Sequence, residues 1–409
     1  MTRNTRSIFA IALALFLTSA SARHAVAQPD RARQFETRHY RVWTDVNLEL
    51  ARDLCARMDA MYDEYARRFS SLGASVPQTE KFDVRIFALR DDYVRYTRDR
   101  LPNTGGVFMP DRKLLAVFVE GQGRDGVRRT LQHEAFHQFA HRAVGPNMPV
   151  WLNEGIAQVF EEAIWTGDGF VLGQVPPRRL RQLNQDLKDG TLIDFRKMLA
   201  MTDAEWSATF KDAGAMATQY NQAWAMAHYL LYAPAADGQP LHRARVIDML
   251  RRCKSGALPT DAFTQAFSDN IVGFQRRFSE YARMLAATRE ATYLDNQTVL
   301  GDFLVALQQR GRSFETIEPF RRALQRGRVR LQYTKGNLAW RSSDDTDEYF
   351  RNLDGRLMTA DELFFQPRDG APLPDLVCRA LEGVQLRTRF HAVEDKLEHE
   401  LLVEPRPSR

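Results

Sequence analysis

Only 3 cysteines occur in 409 residues, which excludes a disulfide scaffold, so the fold must be held by packing. Cys55, Cys253 and Cys378 are an odd set that allows at most one intrachain disulfide, and none sits in a C-x-x-C pattern of the kind thiol redox chemistry uses. No run of 18 apolar residues is present, so no helical membrane span is expected. Repeats of fixed period and low-complexity tracts are also missing, which argues against a solenoid and against a disordered chain. What remains is a composition 44% hydrophobic and 27% charged, enough apolar side chains for more than one core.

The formal net charge of +5 hints at a polyanionic partner until the N-terminus is read. Arg3 and Arg6 precede ten apolar residues, Ile8 to Leu17, and small residues lead to Ala25-Val26-Ala27. Residues 1–27 therefore read as a signal peptide cut before Gln28, and an exported protein, periplasmic or secreted, is expected. Cleavage would remove Arg3, Arg6 and Arg23 from the 57 basic residues, leaving 54 against 52 acidic ones, a net charge of +2. Nucleic acid is thereby dropped as a partner.

Alternating β-favouring residues predict strands at 40–44, 82–88 and 114–119, with a helix over 48–69 between the first two and a short one from Asp91. Gly105-Gly106 reads as a turn. Helical periodicity then dominates, over 127–142, 150–162, 215–232, 244–253, 260–267 and 271–285, with a hairpin at 167–175. After about residue 290 the chain turns Arg-rich, with alternating runs at 329–333 and 384–390. The expected class is α+β: a small mixed sheet with helices, a helical subdomain, and a separate, dispensable α+β extension over 290–409.

His133-Glu134-Ala135-Phe136-His137 is an H-E-x-x-H within a predicted helix. A spacing of four puts both imidazoles on one helix face, able to bind one metal ion, with Glu134 beside the open coordination position. A second predicted helix begins Pro149-Val150-Trp151-Leu152-Asn153-Glu154-Gly155 and offers Glu154 as third ligand. Two imidazoles and a carboxylate would leave zinc a position for water, the layout of a hydrolytic site. A histidine third ligand in the extended pattern is excluded, since those positions hold Ala140 and Ala143.

H-E-x-x-H followed by W-L-N-E-G-x-A resembles the gluzincin metallopeptidases, specifically the peptidase MA-like domains of uncharacterised exported bacterial proteins. The segment from Tyr220-Asn221-Gln222-Ala223-Trp224-Ala225 through Leu230 resembles that group's downstream helix, so the likeness covers about residues 36–287. It implies one Zn2+ per chain on His133, His137 and Glu154, Glu134 as general base, Tyr220 as oxyanion donor with His228 as its competitor, and a peptide or protein substrate. Two departures stand out. Gln158 occupies a place where many relatives carry an acid that orients an imidazole, and the aminopeptidase signature is replaced by Gly106-Val107-Phe108-Met109-Pro110, which favours an endopeptidase.

Blander roles are assigned elsewhere. His141 continues the histidine row but lies a turn beyond the metal, and Trp151, Phe160, Trp165, Trp206 and Trp224 are expected to pack. The cluster Arg310, Arg312, Arg321, Arg322, Arg326, Arg328 and Arg330 could give weak contact with an anionic envelope surface, but Glu315 and Glu318 within it favour a solvated helix face. The competing function is an envelope binding or assembly protein that keeps a peptidase fold, a reading that rests on Gln158.

Overall fold

The computed structural model describes residues 32–72, 80–98, 104–327, 329–335, 338–393 and 396–406; the expected signal peptide and Arg328 lie outside them. Strands β1 (Arg33–Glu36), β2 (Tyr40–Thr44), β3 (Phe82–Phe87), β4 (Gly106–Met109) and β5 (Leu114–Phe118) form one sheet in the order β1-β2-β3-β5-β4, with helices α1 (Leu48–Phe69) and α2 (Arg90–Thr97) between strands. The β2–β3 and β3–β5 pairs are parallel, and β4 runs antiparallel along the edge of β5. Gly106 thus opens an edge strand rather than a turn.

The continuous apolar run of β5 reflects burial on both faces. Leu115 and Val117 join the main core with α1, while Leu114, Ala116 and Phe118 pack around Tyr93 of α2. The start of α1 is fixed by Asn47, whose side chain accepts from the Leu50 amide at 2.9 Å.

Helices α3 (Gly123–Ala143) and α4 (Val150–Glu161) follow, then a short ribbon, β6 (Ile164–Trp165) with β7 (Phe170–Val171). Next come α5 (Pro177–Asp189), α6 (Phe195–Ala200), α7 (Asp203–Ala208), α8 (Ala213–Tyr232), α9 (Arg243–Lys254), α10 (Pro259–Ala266) and α11 (Ile271–Met284). Their apolar faces complete a core running from Tyr40 to Ala282. No helix among the described residues is long and apolar enough to cross a membrane.

The C-terminal unit contains α12 (Arg289–Gln308), α13 (Ile317–Gly327), the hairpin β8 (Gln332–Lys335) and β9 (Leu338–Arg341), and an antiparallel sheet of β10 (Leu363–Gln366), β11 (Asp375–Cys378), β12 (Val384–Val393) and β13 (Lys396–Pro405). It has its own core, centred on Phe303, Phe320, Leu376, Leu386 and Phe390. Charged side chains tie it to the rest. Arg128 of α3 donates to Asp53 at 2.8 Å, Asp125 at 2.9 Å and Glu400 of β13 at 2.9 Å, and the Leu401 amide donates to Asp125 at 2.8 Å. Arg178 of α5 reaches Asp295 of α12 at 2.7 Å. Residues beyond 290 therefore form a unit with its own core that also packs onto the helix bearing the H-E-x-x-H.

All three cysteines are free and buried, and burial pushes each thiol up to about 11, so none is a ready nucleophile. In the Arg-rich segment Arg321 pairs with Glu318 and Asp347, Arg322 with Glu318, and Arg330 with Asp344.

Candidate metal centre

Helix α3 presents His133, Glu134 and His137, and α4 brings Glu154 across to them. The chain reverses between the two helices through Gly145, whose φ of +92° is the left-handed region that favours glycine. Gly155 then lets α4 lie directly against α8, since a Cβ there would run into the Ala223 carbonyl. That close approach brings Tyr220 of α8 into the wall of the same cleft, a space of about 530 Å³ lined also by His133, Glu134, His137 and Glu154.

One nitrogen of each imidazole and a carboxylate oxygen of Glu154 lie within 4.8 Å of one another, a set able to hold a metal ion. Nε2 of His133 is 3.4 Å from Glu154 Oε2, and Nε2 of His137 is 3.7 Å from Oε1. Glu154 Oε2 is buried and no hydrogen-bond donor satisfies it. A buried carboxylate oxygen in that condition is costly unless a cation fills the gap, so these residues fit a metal.

The far nitrogens are held too. His133 Nδ1 lies 3.2 Å from Glu161 Oε2, and His137 Nδ1 lies 3.0 Å from Asn153 Oδ1. Both oxygens fix Nδ1 as the protonated nitrogen and turn Nε2 towards the metal position. Burial opposes a charge on His133, but the neighbouring carboxylates of Glu154 and Glu161 outweigh it and hold its pKa well above that of a free imidazole. Burial likewise works against the charge of Glu154, which His137 and His133 still keep below the usual carboxylate range.

Glu134 Oε2 accepts from the Phe108 amide of edge strand β4 at 2.8 Å, so the carboxylate is aimed along that strand. The Tyr220 ring meets Trp206 edge-on with centroids 4.9 Å apart. Burial and the nearby Glu154 charge push its phenol far above the ordinary value, so it stays protonated and able to donate.

His228 is not brought to this cleft. Its Nδ1 is 2.7 Å from the Tyr281 hydroxyl and its Nε2 3.2 Å from the Gly173 carbonyl, and burial lowers its pKa to about 4. It is a neutral, satisfied core residue. Gln158 does not orient an imidazole either: its amide donates to the Glu154 and Tyr220 carbonyls at 3.2 and 3.0 Å and accepts from Arg179 at 2.8 Å. The orienting residues that sequence reasoning missed are Glu161, two helical turns after Glu154 on the same face, and Asn153, its immediate neighbour. The i, i+7 spacing was the available signal for Glu161. His141 packs beside Phe108, with centroids 5.5 Å apart.

No curated protein matches the chain. Residues 128–237, which take in both histidines, Glu134, Glu154 and Tyr220, match a family model described as a protein of unknown function, DUF1570.

Proposed function

We propose that the protein is a zinc-dependent metallopeptidase, exported from the cytoplasm and acting as an endopeptidase. The observation that carries this reading is the convergence of His133, His137 and Glu154 around a buried carboxylate oxygen without a donor, with the Glu134 carboxylate in the same cleft. Zinc held there would supply Lewis-acid polarisation of a scissile carbonyl and a lowered pKa for water.

The chain's own residues supply the rest. Glu134, steadied by the Phe108 amide, takes a proton from the attacking water and returns it to the leaving amine. Tyr220, kept protonated by burial, donates to the oxyanion of the tetrahedral intermediate. Glu161 and Asn153 hold the imidazoles in one tautomer and orientation. The competing reading, an envelope binding or assembly protein that keeps a peptidase fold, rests on Gln158; the Glu161–His133 contact supports the catalytic reading, since it supplies an acid beside an imidazole by another route.

Elemental analysis and a peptide-cleavage assay test the proposal together. About one zinc per chain is expected, lost in His137→Ala and Glu154→Ala and kept in Glu134→Gln. Full zinc and activity in Glu154→Ala would refute it.

A further inference from the structure

Beyond the metal cleft lies a larger cavity of about 800 Å³, enclosed by the first turns of α3, by α12, by the β8–β9 hairpin and by β13. The two spaces meet at Thr130 and Glu161, which line both. One face of α3 floors them in succession: Gln122, Gly126, Arg129 with Thr130, then His133 and His137, spaced by three or four residues. At 1.5 Å per residue the stretch from Gln122 to His133 is about 16 Å long, room for about five residues of extended polypeptide.

Arg129 lines the larger cavity next to Thr130, one helical turn before His133. Its side chain is 25% exposed and makes no hydrogen bond among the described residues. Its nearest carboxylate, Glu162, is 3.9 Å away and already holds both Arg178 and Arg179. The adjacent Arg128, by contrast, closes on three carboxylates. A partly buried guanidinium with five donors and no acceptor is a binding element in waiting. Farther along the cavity, Arg181 and Arg341 also have no carboxylate within ion-pair distance among the described residues.

The carboxylates on these walls are mostly engaged. Asp125 accepts from Arg128 and the Leu401 amide, Asp295 from Arg178, Asp302 faces His399 at 2.7 Å, and Glu161 faces His133. Glu398 lies beside Gly123, the N-terminus of α3, where the helix dipole already favours it, and Glu348, on the same wall, has no cation within ion-pair distance among the described residues. The aromatic surface is taken as well: Trp340 stacks on Tyr333 with centroids 5.1 Å apart, and Arg178 stands 6.0 Å over its ring, which disfavours a stacked sugar. The uncommitted donors are guanidinium groups.

Resting on the peptidase reading, we propose that this groove selects an extended acidic polypeptide, and that Arg129 is the specificity-determining residue that binds a substrate carboxylate one helical turn from His133. The C-terminal unit then serves as the far wall of the substrate groove.

The test uses the full-length protein and neutral ten-residue peptides in which Gln is replaced by Glu one position at a time. At one or more positions the Glu peptide should be favoured about tenfold to a hundredfold in kcat/KM, through KM, the range of one charged hydrogen-bond set. In Arg129→Gln that ratio should fall to about one. Arg129→Lys, which keeps the charge but not the forked donors, should retain part of it. Amidated peptides carrying Glu and neutral peptides with a free C-terminus tell a side-chain carboxylate from a chain end. Fluorescence polarisation on Glu134→Gln reads the same ratio without turnover. Charge-selective binding with no cleavage by the wild type would sink the peptidase reading and leave the groove standing. Cleavage with no preference for Glu, or a preference that survives in Arg129→Gln, would overturn the groove alone.

Discussion

Helix α3 carries two buried charged clusters about two turns apart, and they are built on opposite plans. Around Arg128 every charge is answered: three carboxylates reach the guanidinium, and Glu400 is also met by His391 at 2.8 Å. Around His133 and His137 one carboxylate oxygen of Glu154 has no donor. A closed network holds elements together, whereas an open one stores an unmet electrostatic demand that a ligand can satisfy. Satisfaction, more than burial or charge, separates joint from site.

Changes at the open end should register in chemistry, and changes at the closed end in stability. The largest effect is expected for Glu134→Gln, which should lower kcat by about a thousandfold, within the range for losing a general acid–base, while zinc content stays at the wild-type level. Loss of the metal in that variant would break the division between ligands and base.

Glu400→Gln is the counterpart at the closed end and should cost about 3 kcal/mol in chemical denaturation with zinc retained. Burial works against the Glu400 charge, but the hydrogen bond to His391 and the charges of Arg128 and Arg124 hold its carboxyl down at about 2. A depressed folded pKa contributes stability that is fully present above the ordinary carboxylate value, about 4.3, and is lost as pH falls through about 2. Wild-type protein should therefore lose stability across that interval, and Glu400→Gln should lose correspondingly less.

Tyr220→Phe should lower kcat by about a hundredfold with KM and zinc content nearly unchanged, as befits a donor that acts only in the transition state. His228→Ala is the control. A large loss of kcat there, with Tyr220→Phe behaving as wild type, would return the oxyanion role to the histidine. The smallest effect is expected for Glu161→Gln, which keeps the shape but not the charge beside His133 and should weaken zinc about tenfold, read by competition with a chelator. Unchanged affinity would mean that the contact does not tune the metal.

Strands β2 and β3 and helices α1, α3 and α4 were legible because each shows a period of 2 or 3.6, and β5 because its apolar run is continuous, whereas the short edge strands β1 and β4 were not read as strands. His133, His137 and Glu154 were legible because two short motifs fix them on helices that pack together. Arg128 and Glu400 were not: their meeting depends on tertiary packing that no local spacing encodes. Helix α12 escaped for another reason. It is wedged between the C-terminal sheet and α5, with Ala291, Val299 and Gly301 buried as well as the Tyr293, Leu300 and Leu304 face, so no single apolar stripe announces it. Asn153 and Glu161 look like ordinary polar positions on α4 until the imidazoles are placed beside them. His228 was weighed as a donor because it shares α8 with Tyr220, yet Tyr281 and Gly173 claim both its nitrogens.

The Arg128–Glu400 contact joins positions 272 residues apart. A ribosome delivers His133, His137 and Glu154 long before it delivers β13, so the first turns of α3 gain their last anchor only after β13 has been made. A chain that stops before β13 keeps all three of those residues but leaves Arg128 short of one of its three acceptors and the larger cavity without one of its walls. Arrival of β13 is thereby reported at the helix that bears the histidines.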